Sequence, residues 1–586
     1  MARQAIILHE GSPGPKELGL SRILDFFEVP WKPVDALKLT DIERCSPDYA
    51  IFGSVQAVAT ALRQRQEANP AVFYAYADNE RGPCVRAIRS LFGDAKLSLQ
   101  EASAGNLSVC ISSDLLDIAG PMAGLNVSLQ LRSEDAVLIG APVGEASMFA
   151  TIISAAGAPV FLRFQQEGVS VFLCTSSQMI DIDEPVGQGF YDVKDHFCSV
   201  VPLIMFIRFM FQGVAWHPQE LGACLIIDDP LLRPQYGYCN FVKLRDLMQQ
   251  HGFTTNIAFI PWNWRRTSPV DGDFFRNESK LFSVSIHGCD HTAGEFGATS
   301  LAVLHDRAGL AQSRMRNHQA RTGIQHDSIM IFPQGIFSSP CPEVLKRNNF
   351  LAAVNTEIIP VDSPNARTRI RDVWDVAIMT YGDFPIFTRR YVFHGLENFA
   401  FDLLLGKPCL IVAHHDSFKD GGAALIELIE KIGSLNCCLR WRPLGEVIRR
   451  ACRRRANAAG SEDVEMYSNE LLINNPSDQP IKVKVRWKKN QDDLVSKILC
   501  DEKPVTWTTE VEQLVFGEWI PSHSEKRFRV VCQEQAYAGK VRRSLRLELS
   551  VAARRFLSEL RDHYLSRNRF LSVPADRLRS VLRKAI

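Results

Sequence analysis

The sequence lacks the features by which exported and membrane-spanning proteins are recognised. Its first residues carry only the short apolar run Ala5–Leu8 before Glu10, which is too short for a signal peptide. The longest apolar run, Val200–Trp216, is interrupted by Arg208 and Gln212 and falls short of the roughly 20 residues that a spanning helix needs. We therefore expect a buried or interfacial helix there and no membrane span.

The sequence also lacks paired cysteines and an excess of charge of one sign. Its fifteen cysteines are odd in number and scattered, and none form a CxxC pair. The vicinal Cys437–Cys438 is not a usual structural bridge. Reduced thiols and a cytoplasmic protein follow. The net charge of +1 gives no indication of a nucleic-acid partner or an acidic surface partner.

The chain is too long for one hydrophobic core. Its 586 residues predict three or four domains. The patterns predict a multidomain α/β protein with an open α/β (Rossmann-like) region, an apolar linker helix, a β/α barrel, a β-sandwich and a basic helical tail, at residues 1–195, 196–219, 220–455, 462–538 and 540–586. No catalytic constellation stands out in the first region. The barrel region is where the polar motifs concentrate.

The tail combines helical periodicity with positive charge. Lys540–Ile586 carries thirteen Lys and Arg residues against four Asp and Glu, and its stretch Val551–Leu565 is amphipathic. Such an excess is usually a solvated face. The alternative is a surface for a lipid headgroup or a partner, which would give peripheral membrane contact.

Four apolar runs in residues 220–455 end in polar residues. In chain order the ends read Asp228-Asp229, His287-x-x-x-His291, Pro333-Gln-Gly335 and His414-His415. Packing alone hardly explains these polar ends, because each places a polar residue at the end of an otherwise apolar, buried strand. In β/α barrels the carboxyl ends of the strands bear the catalytic residues. We therefore expect these side chains to meet at one end of a barrel.

The first two ends predict a metal site. Adjacent carboxylates repel one another, and a divalent cation offsets that repulsion, although Asp-Asp at a strand end is also common as a turn or helix cap. His287 and His291 stand four residues apart, which in a helical turn brings both imidazoles to one face. Two histidines and one carboxylate leave coordination positions open, as in catalytic zinc sites.

This series of motifs resembles that of the NodB-like polysaccharide deacetylases, a carbohydrate esterase family with a distorted β/α barrel. The resemblance covers only the central domain. It implies that Asp228 is the catalytic base and that Asp229, His287 and His291 hold the metal. It also implies that a histidine of the last motif, His414 or His415, is the general acid.

The sequence departs from the family pattern in three places. Pro230 stands where glycine is usual, and the third motif, Phe332-Pro-Gln-Gly335, lacks its arginine. Arg233 is our candidate for the missing cation. The Asp-Trp motif has only Trp374-Asp375 as a loose counterpart. We expect Arg233, Pro333, Gly335, Trp374 and Asp375 to contribute to substrate binding, with a backbone N–H near Pro333–Gly335 facing the oxyanion.

Strand alternation bears on which histidine faces the site. Neighbouring side chains of a strand point to opposite faces, so only one of His414 and His415 enters the barrel mouth. The family's Leu-x-His spacing matches Val412-Ala-His414, whereas the family's frequent His-Asp matches His415-Asp416. We favour His414.

The expected function is metal-dependent deacetylation of an N-acetylated sugar or polysaccharide, so that an acetylated carbohydrate is the expected partner. A divalent transition metal is the expected cofactor. The Asp/His₂ set suits zinc best, and cobalt, nickel or iron would also fit. Two alternatives stay open: a metal-dependent amidohydrolase or esterase with a non-sugar substrate, and an inactive glycan-binding or scaffold protein.

Overall fold

We describe a computed structural model of the chain. It describes residues 2–40, 46–63, 72–78, 81–92, 97–101, 105–131, 138–142, 149–166, 168–187, 189–363, 368–457, 460–489, 493–533 and 544–561. Its described helices of five or more residues are Pro15–Phe26, Val55–Arg63, Arg81–Phe92, Phe197–Met210, Phe241–His251, Pro269–Asn277, Leu301–Thr322, Cys341–Arg347, Ile370–Trp374, Leu396–Leu405, Ala423–Gly433, Leu444–Arg450 and Leu545–Leu560.

The N-terminal region is an open sheet of nine strands. In spatial order they are Trp31–Asp35, Gln4–His9, Tyr49–Ser54, Val72–Tyr76, Val169–Cys174, Ala158–Gln166, Phe149–Ala155, Gly105–Ile111 and Asn126–Leu131. The first five run parallel to their neighbours and the rest antiparallel. Leu97–Glu101 and Leu138–Pro142 form a separate pair. The predicted open α/β architecture is confirmed for this region.

The apolar run after this sheet forms a buried helix. Phe197–Met210 is almost wholly buried, and Phe206 packs edge-on against Phe52 and Phe172 of the sheet. Arg208 donates to the carbonyl oxygens of Leu404, Leu405 and Trp216, so this helix joins the sheet to the barrel. Across the described residues, every helix is too short or too polar to cross a bilayer.

The central region is a nearly closed parallel barrel, as predicted. Its strands in spatial order are Ile386–Thr388, Ala352–Asn355, Ile329–Ile331, Phe282–His287, Thr255–Phe259, Leu221–Asp228, Cys409–Ala413 and Arg390–Tyr391. Leu439–Trp441 adds to the start of Leu221–Asp228. The first and last strands in this order are separated in the chain only by Arg389. One extended stretch therefore pairs with both edges of the sheet and brings them together at Arg389.

Two sheets after the barrel form the predicted sandwich. One contains His217–Pro218, Cys452–Ala456, Glu462–Met466, Ile481–Lys488, Gln513–Ile520 and Trp507–Glu510. The other contains Glu470–Asn475, Ser524–Cys532, Val495–Cys500 and Lys503–Pro504. The stretch 462–475 forms two strands, Glu462–Met466 and Glu470–Asn475, one in each sheet. It breaks at Tyr467–Asn469, where the buried Tyr467 hydroxyl donates to Asp375 of the barrel.

The tail contains the predicted helix, over Leu545–Leu560. The rest of the predicted tail, residues 540–543 and 562–586, lies outside the described residues. The division of the chain at 195, 219, 455 and 538 stays a prediction.

Candidate active site

Three of the predicted metal ligands converge at the carboxyl end of the barrel. Asp229 follows the strand Leu221–Asp228. His287 ends the strand Phe282–His287, which is separated from Leu221–Asp228 by one strand, Thr255–Phe259. Asp229 Oδ1 lies 3.4 Å from His287 Nε2 and 2.9 Å from His291 Nε2. One donor atom from each of the three residues lies within 4.8 Å of the others. This donor set and spacing fit a divalent transition metal bound by one carboxylate and two imidazoles.

The backbone is strained at two of these ligands. Asp229 has φ 81° and His291 has φ 57°, which is the left-handed region that non-glycine residues seldom occupy. Such conformations cost on the order of 1–3 kcal/mol each and cluster at functional sites. The strain turns both side chains towards one point.

The loop that carries His291 is held by one buried carboxylate. Glu295, 2% exposed, accepts hydrogen bonds from the backbone N–H groups of Cys289, Asp290 and His291 at 2.8–3.1 Å. Gly288 has φ 64°, and a Cβ there would collide with Glu295 and Pro333. Pro333 thus packs beneath this loop, close to the metal ligands.

His287 has the surroundings of a metal ligand. Its Nδ1 donates to the carbonyl oxygen of Ile331 at 3.0 Å, so in the neutral imidazole the proton sits on Nδ1 and Nε2, directed at Asp229, is the free ligand atom. Metal-bound histidines commonly donate their other nitrogen in this way. Burial lowers the pKa of His287, but the neighbouring Asp228 and Asp229 carboxylates raise it above its ordinary value overall.

His291 has a different partner. Its Nδ1 lies 3.3 Å from Nη2 of Arg555, which comes from the C-terminal helix. Arginine offers donors only, so Nδ1 must accept, and the imidazole proton then sits on Nε2, facing Asp229. Arg555 is 6% exposed, and Glu559 on the same helix face binds Arg266 with both carboxylate oxygens. The C-terminal helix is therefore docked on the barrel beside the site.

Asp228 is a buried ionised carboxylate. Arg389 binds it with two hydrogen bonds, Nη1 to Oδ1 and Nη2 to Oδ2, each 2.7 Å. Burial raises the pKa of Asp228, but Arg389, His287 and His414 outweigh burial and hold that pKa below its ordinary value. The pKa of Asp229 is shifted in the same direction. Burial raises this pKa, but the charges of His291 and His287 lower it well below its ordinary range. Both groups are therefore available as proton acceptor and ligand at neutral pH.

The two adjacent histidines follow the strand Cys409–Ala413, and His415 begins a short 3-10 helix, so strand alternation does not apply to the pair. His414 lies near enough to lower the pKa of Asp228, and its ring is nearly parallel to that of Tyr391 at 6.3 Å. His415 lies between Tyr236 and Tyr238, at 5.7 and 6.0 Å. His414 is thus the histidine that shares surroundings with Asp228.

The predicted substrate-binding residues are not all at the mouth. Arg233 is exposed in the loop after Pro230. The Gly335 N–H donates to the carbonyl oxygen of Phe332 at 3.1 Å within its own turn, so it is already engaged. The sequence predicts that Arg233 replaces the arginine missing from the third motif. In the structure Arg389, and not Arg233, binds Asp228.

Trp374 and Asp375 lie elsewhere in the barrel. Trp374 is fully buried against Phe26 and Phe401, and Asp375 Oδ1 forms an ion pair with Arg453 Nη2 at 2.9 Å. Lys407, which precedes the strand Cys409–Ala413, donates to the carbonyl oxygen of Val373. The pair therefore lies beside the amino end of that strand, opposite to the end with the metal ligands. The structure does not bring it to the mouth.

No protein-family model matches the chain, and no curated protein matches it. Several solved structures do match the chain. One is Agd3, described as a novel carbohydrate deacetylase: identity is 10%, the TM-score is 0.48, and the match covers 90% of this chain and 98% of that one. A family 4 carbohydrate esterase from Streptomyces lividans in complex with acetate matches at 14% identity and TM-score 0.22, covering 37% of this chain and 88% of that one.

The peptidoglycan deacetylase PdaC from Bacillus subtilis matches at 10% identity and TM-score 0.24, covering 40% of this chain and 92% of that one. These neighbours are carbohydrate deacetylases and esterases, the group that the sequence motifs resemble. All three TM-scores lie below 0.5, so the fold and the roles of individual residues depend on the geometry described above.

Three residues of the site were missed by reasoning from sequence: Arg389, Glu295 and Arg555. Arg389 had a weak signal, because it stands one residue, Thr388, beyond the short apolar run Ile386–Phe387. Glu295 and Arg555 carry no such signal. Arg555 reaches His291 across 264 positions of the chain.

Proposed function

We propose that the chain is a metal-dependent hydrolase that removes acetyl groups from an N-acetylated sugar or polysaccharide. The observation that carries the proposal is the convergence of Asp229, His287 and His291 at the barrel end that also holds the ionised Asp228. The choice of an acetylated carbohydrate comes from the motif series, which resembles that of NodB-like deacetylases. A cytoplasmic location belongs to the proposal because the fifteen cysteines are odd in number and scattered, and none form a CxxC pair.

The residues present suit a bound transition metal. Asp229 and the Nε2 atoms of His287 and His291 would hold it. The proton of His291 would then sit on Nδ1, which would end the hydrogen bond from Arg555. When bound, such an ion supplies a Lewis acid for the acetyl carbonyl and lowers the pKa of water. Zinc is our first candidate, since Asp/His₂ sets with open positions are typical of catalytic zinc.

Asp228 is placed to act as the general base. It is ionised, and Arg389 fixes both of its oxygens while each keeps a further lone pair. A water between Asp228 and the acetyl carbon would give its proton to this carboxylate as its oxygen attacks. Because Asp228 is 3% exposed, the transfer takes place away from bulk solvent.

His414 is placed to act as the general acid. The tetrahedral intermediate breaks at the bond between carbon and nitrogen, and the leaving nitrogen needs a proton. His414 lies on the Asp228 side of the mouth, and the neighbouring ring of Tyr391 keeps it oriented. The products are acetate and a free amino sugar.

The test uses the purified full-length chain with zinc added. We expect turnover of 4-nitrophenyl acetate and release of acetate from N-acetylglucosamine oligomers, both abolished by a chelator. Asp228→Asn should keep bound metal and lose about 10²–10⁴-fold in turnover, the usual contribution of a general base.

Two further measurements keep this test decisive. Since Asp228→Asn leaves Arg389 without a charge partner, circular dichroism must show that the variant is folded. A folded Asp228→Asn variant with full turnover would rule out Asp228 as the base. A chain that binds zinc but hydrolyses neither class of acetyl compound would support the inactive binding protein instead.

A further inference from the structure

Strand topology places Phe393 on the rim of the barrel mouth. The strand Arg390–Tyr391 runs parallel to Cys409–Ala413, which leads into His414. The turn Val392–His394 follows at that same carboxyl end. None of the roles assigned above uses this turn.

The ring of Phe393 is held in place. It lies against Tyr391 with centroids 5.0 Å apart and planes inclined by 8°. Tyr391 is in turn nearly parallel to His414, at 6.3 Å and 14°. The turn is anchored by His394, which is buried and stacks on Phe190 at 4.7 Å. A series of parallel rings thus runs from the proposed general acid out to solvent.

Phe393 forms the exposed end of this series. It is 79% exposed, while its neighbour His394 is 9% exposed. Single exposed apolar side chains are common and need no explanation by themselves. Phe393 differs from them because stacking fixes its ring, and because the row behind it ends at a residue of the site. Folding gains little from a phenyl ring left in water, so the exposed face is free to be covered by a ligand.

We propose that Phe393, supported by Tyr391, is a stacking platform for a sugar unit of the substrate beyond the unit that is deacetylated. The C–H face of a pyranose ring is flat and apolar and matches the face of a phenyl ring, while the sugar hydroxyls at its edge stay in water. The inference rests on the proposed function and extends it: the substrate is an oligosaccharide or polysaccharide that reaches from His414 across the rim to Phe393.

The experiment compares long and short substrates on the full-length enzyme. The long probes are chitopentaose and acetylated xylopentaose, and the short probe is 4-nitrophenyl acetate, which is too small to reach the rim. Phe393→Ala should raise KM for the pentasaccharide about tenfold, the effect of uncovering roughly 60 Å² of apolar surface. Its kcat should stay unchanged, as should hydrolysis of the short ester. Phe393→Trp should restore KM.

Trp519→Ala is the matched control. Trp519 is 55% exposed on the sandwich strand Gln513–Ile520 and has no place in the ring series. Its loss should leave KM for both probes unchanged. A similar rise of KM in this variant would show a general surface effect and overturn the platform.

The remaining outcomes separate the platform from the function. If the wild type deacetylates a pentasaccharide and Phe393→Ala does so with the same KM, the platform is wrong and the hydrolase stands. If the wild type hydrolyses only the short ester, the platform is also wrong and the hydrolase activity stands. If the wild type turns over neither probe, the proposed function fails and the platform fails with it.

Discussion

The pairing of Arg389 with Asp228 gives a sharp test of the site. Both side chains are almost fully buried, at 3% and 5% exposed, and two hydrogen bonds of 2.7 Å join them. Arg389→Met keeps a side chain of similar length and leaves the carboxylate without a partner. Breaking a buried ion pair in this way costs about 3–5 kcal/mol. For an unfolding unit of barrel size this corresponds to a fall in Tm of roughly 6–20 °C.

The loss of Arg389 should also change the chemistry of Asp228. Without the guanidinium, burial dominates and raises the pKa of the carboxyl above its ordinary value instead of below it. The variant should therefore lose turnover at neutral pH and recover part of it as the pH rises. Its stability deficit should be largest at neutral and alkaline pH and shrink in acid, where the carboxyl takes up a proton in the folded state.

Arg390 provides a matched control. It binds Asp402 with two hydrogen bonds of 2.5 and 3.0 Å and is equally buried, but it faces the helix Leu396–Leu405 and not the mouth. Arg390→Met should lower Tm by a comparable amount and leave turnover per folded molecule unchanged. Thermal denaturation followed by circular dichroism, with turnover measured from pH 5 to 9, covers both variants. An Arg389→Met protein with the stability and pH profile of the wild type would refute the reasoning.

Three more predictions concern the metal and the acid. His287→Ala should reduce bound zinc from about one ion per chain to near zero, measured by mass spectrometry of the purified protein, while His318→Ala, a buried histidine bonded to Thr267, should keep the ion. His414→Ala should lower turnover of an amide substrate about 10²-fold or more with metal retained, and His415→Ala much less; the reverse order would move the acid to the neighbouring residue. Arg555→Gln replaces a side chain that only donates to His291 Nδ1 by one that can accept from it. This variant should tighten zinc binding about tenfold in competition with a chromophoric chelator. Weaker zinc binding would contradict the inference that Arg555 donates to His291 Nδ1.

The residues that sequence alone could place share one property. Asp228 and His287 each end an apolar strand, His414 directly follows one, and the carboxyl ends of parallel strands meet at one end of a barrel. The period of the apolar residues and the position of a strand end are both local features, so they can be recognised in the sequence.

The failures of sequence reasoning have a different origin. Trp374-Asp375 was chosen by its likeness to a motif, and the likeness carries no information on which end of the barrel the residues occupy. Asp375 is instead taken up by the contact with Tyr467 and Arg453 of the sandwich.

Arg389 shows why a missing motif residue does not by itself indicate lost function. A buried carboxylate such as Asp228 needs a counter-charge, and the requirement concerns a position in space. Any strand end at the mouth can meet it. Arg389 lies where the two edges of the sheet come together, between Thr388 and Arg390, so that its side chain can reach across to Asp228. Although arginine is absent before Pro333, Arg389 supplies a cation to Asp228, so the proposed base keeps its counter-charge. This pairing weighs against the alternative of an inactive scaffold.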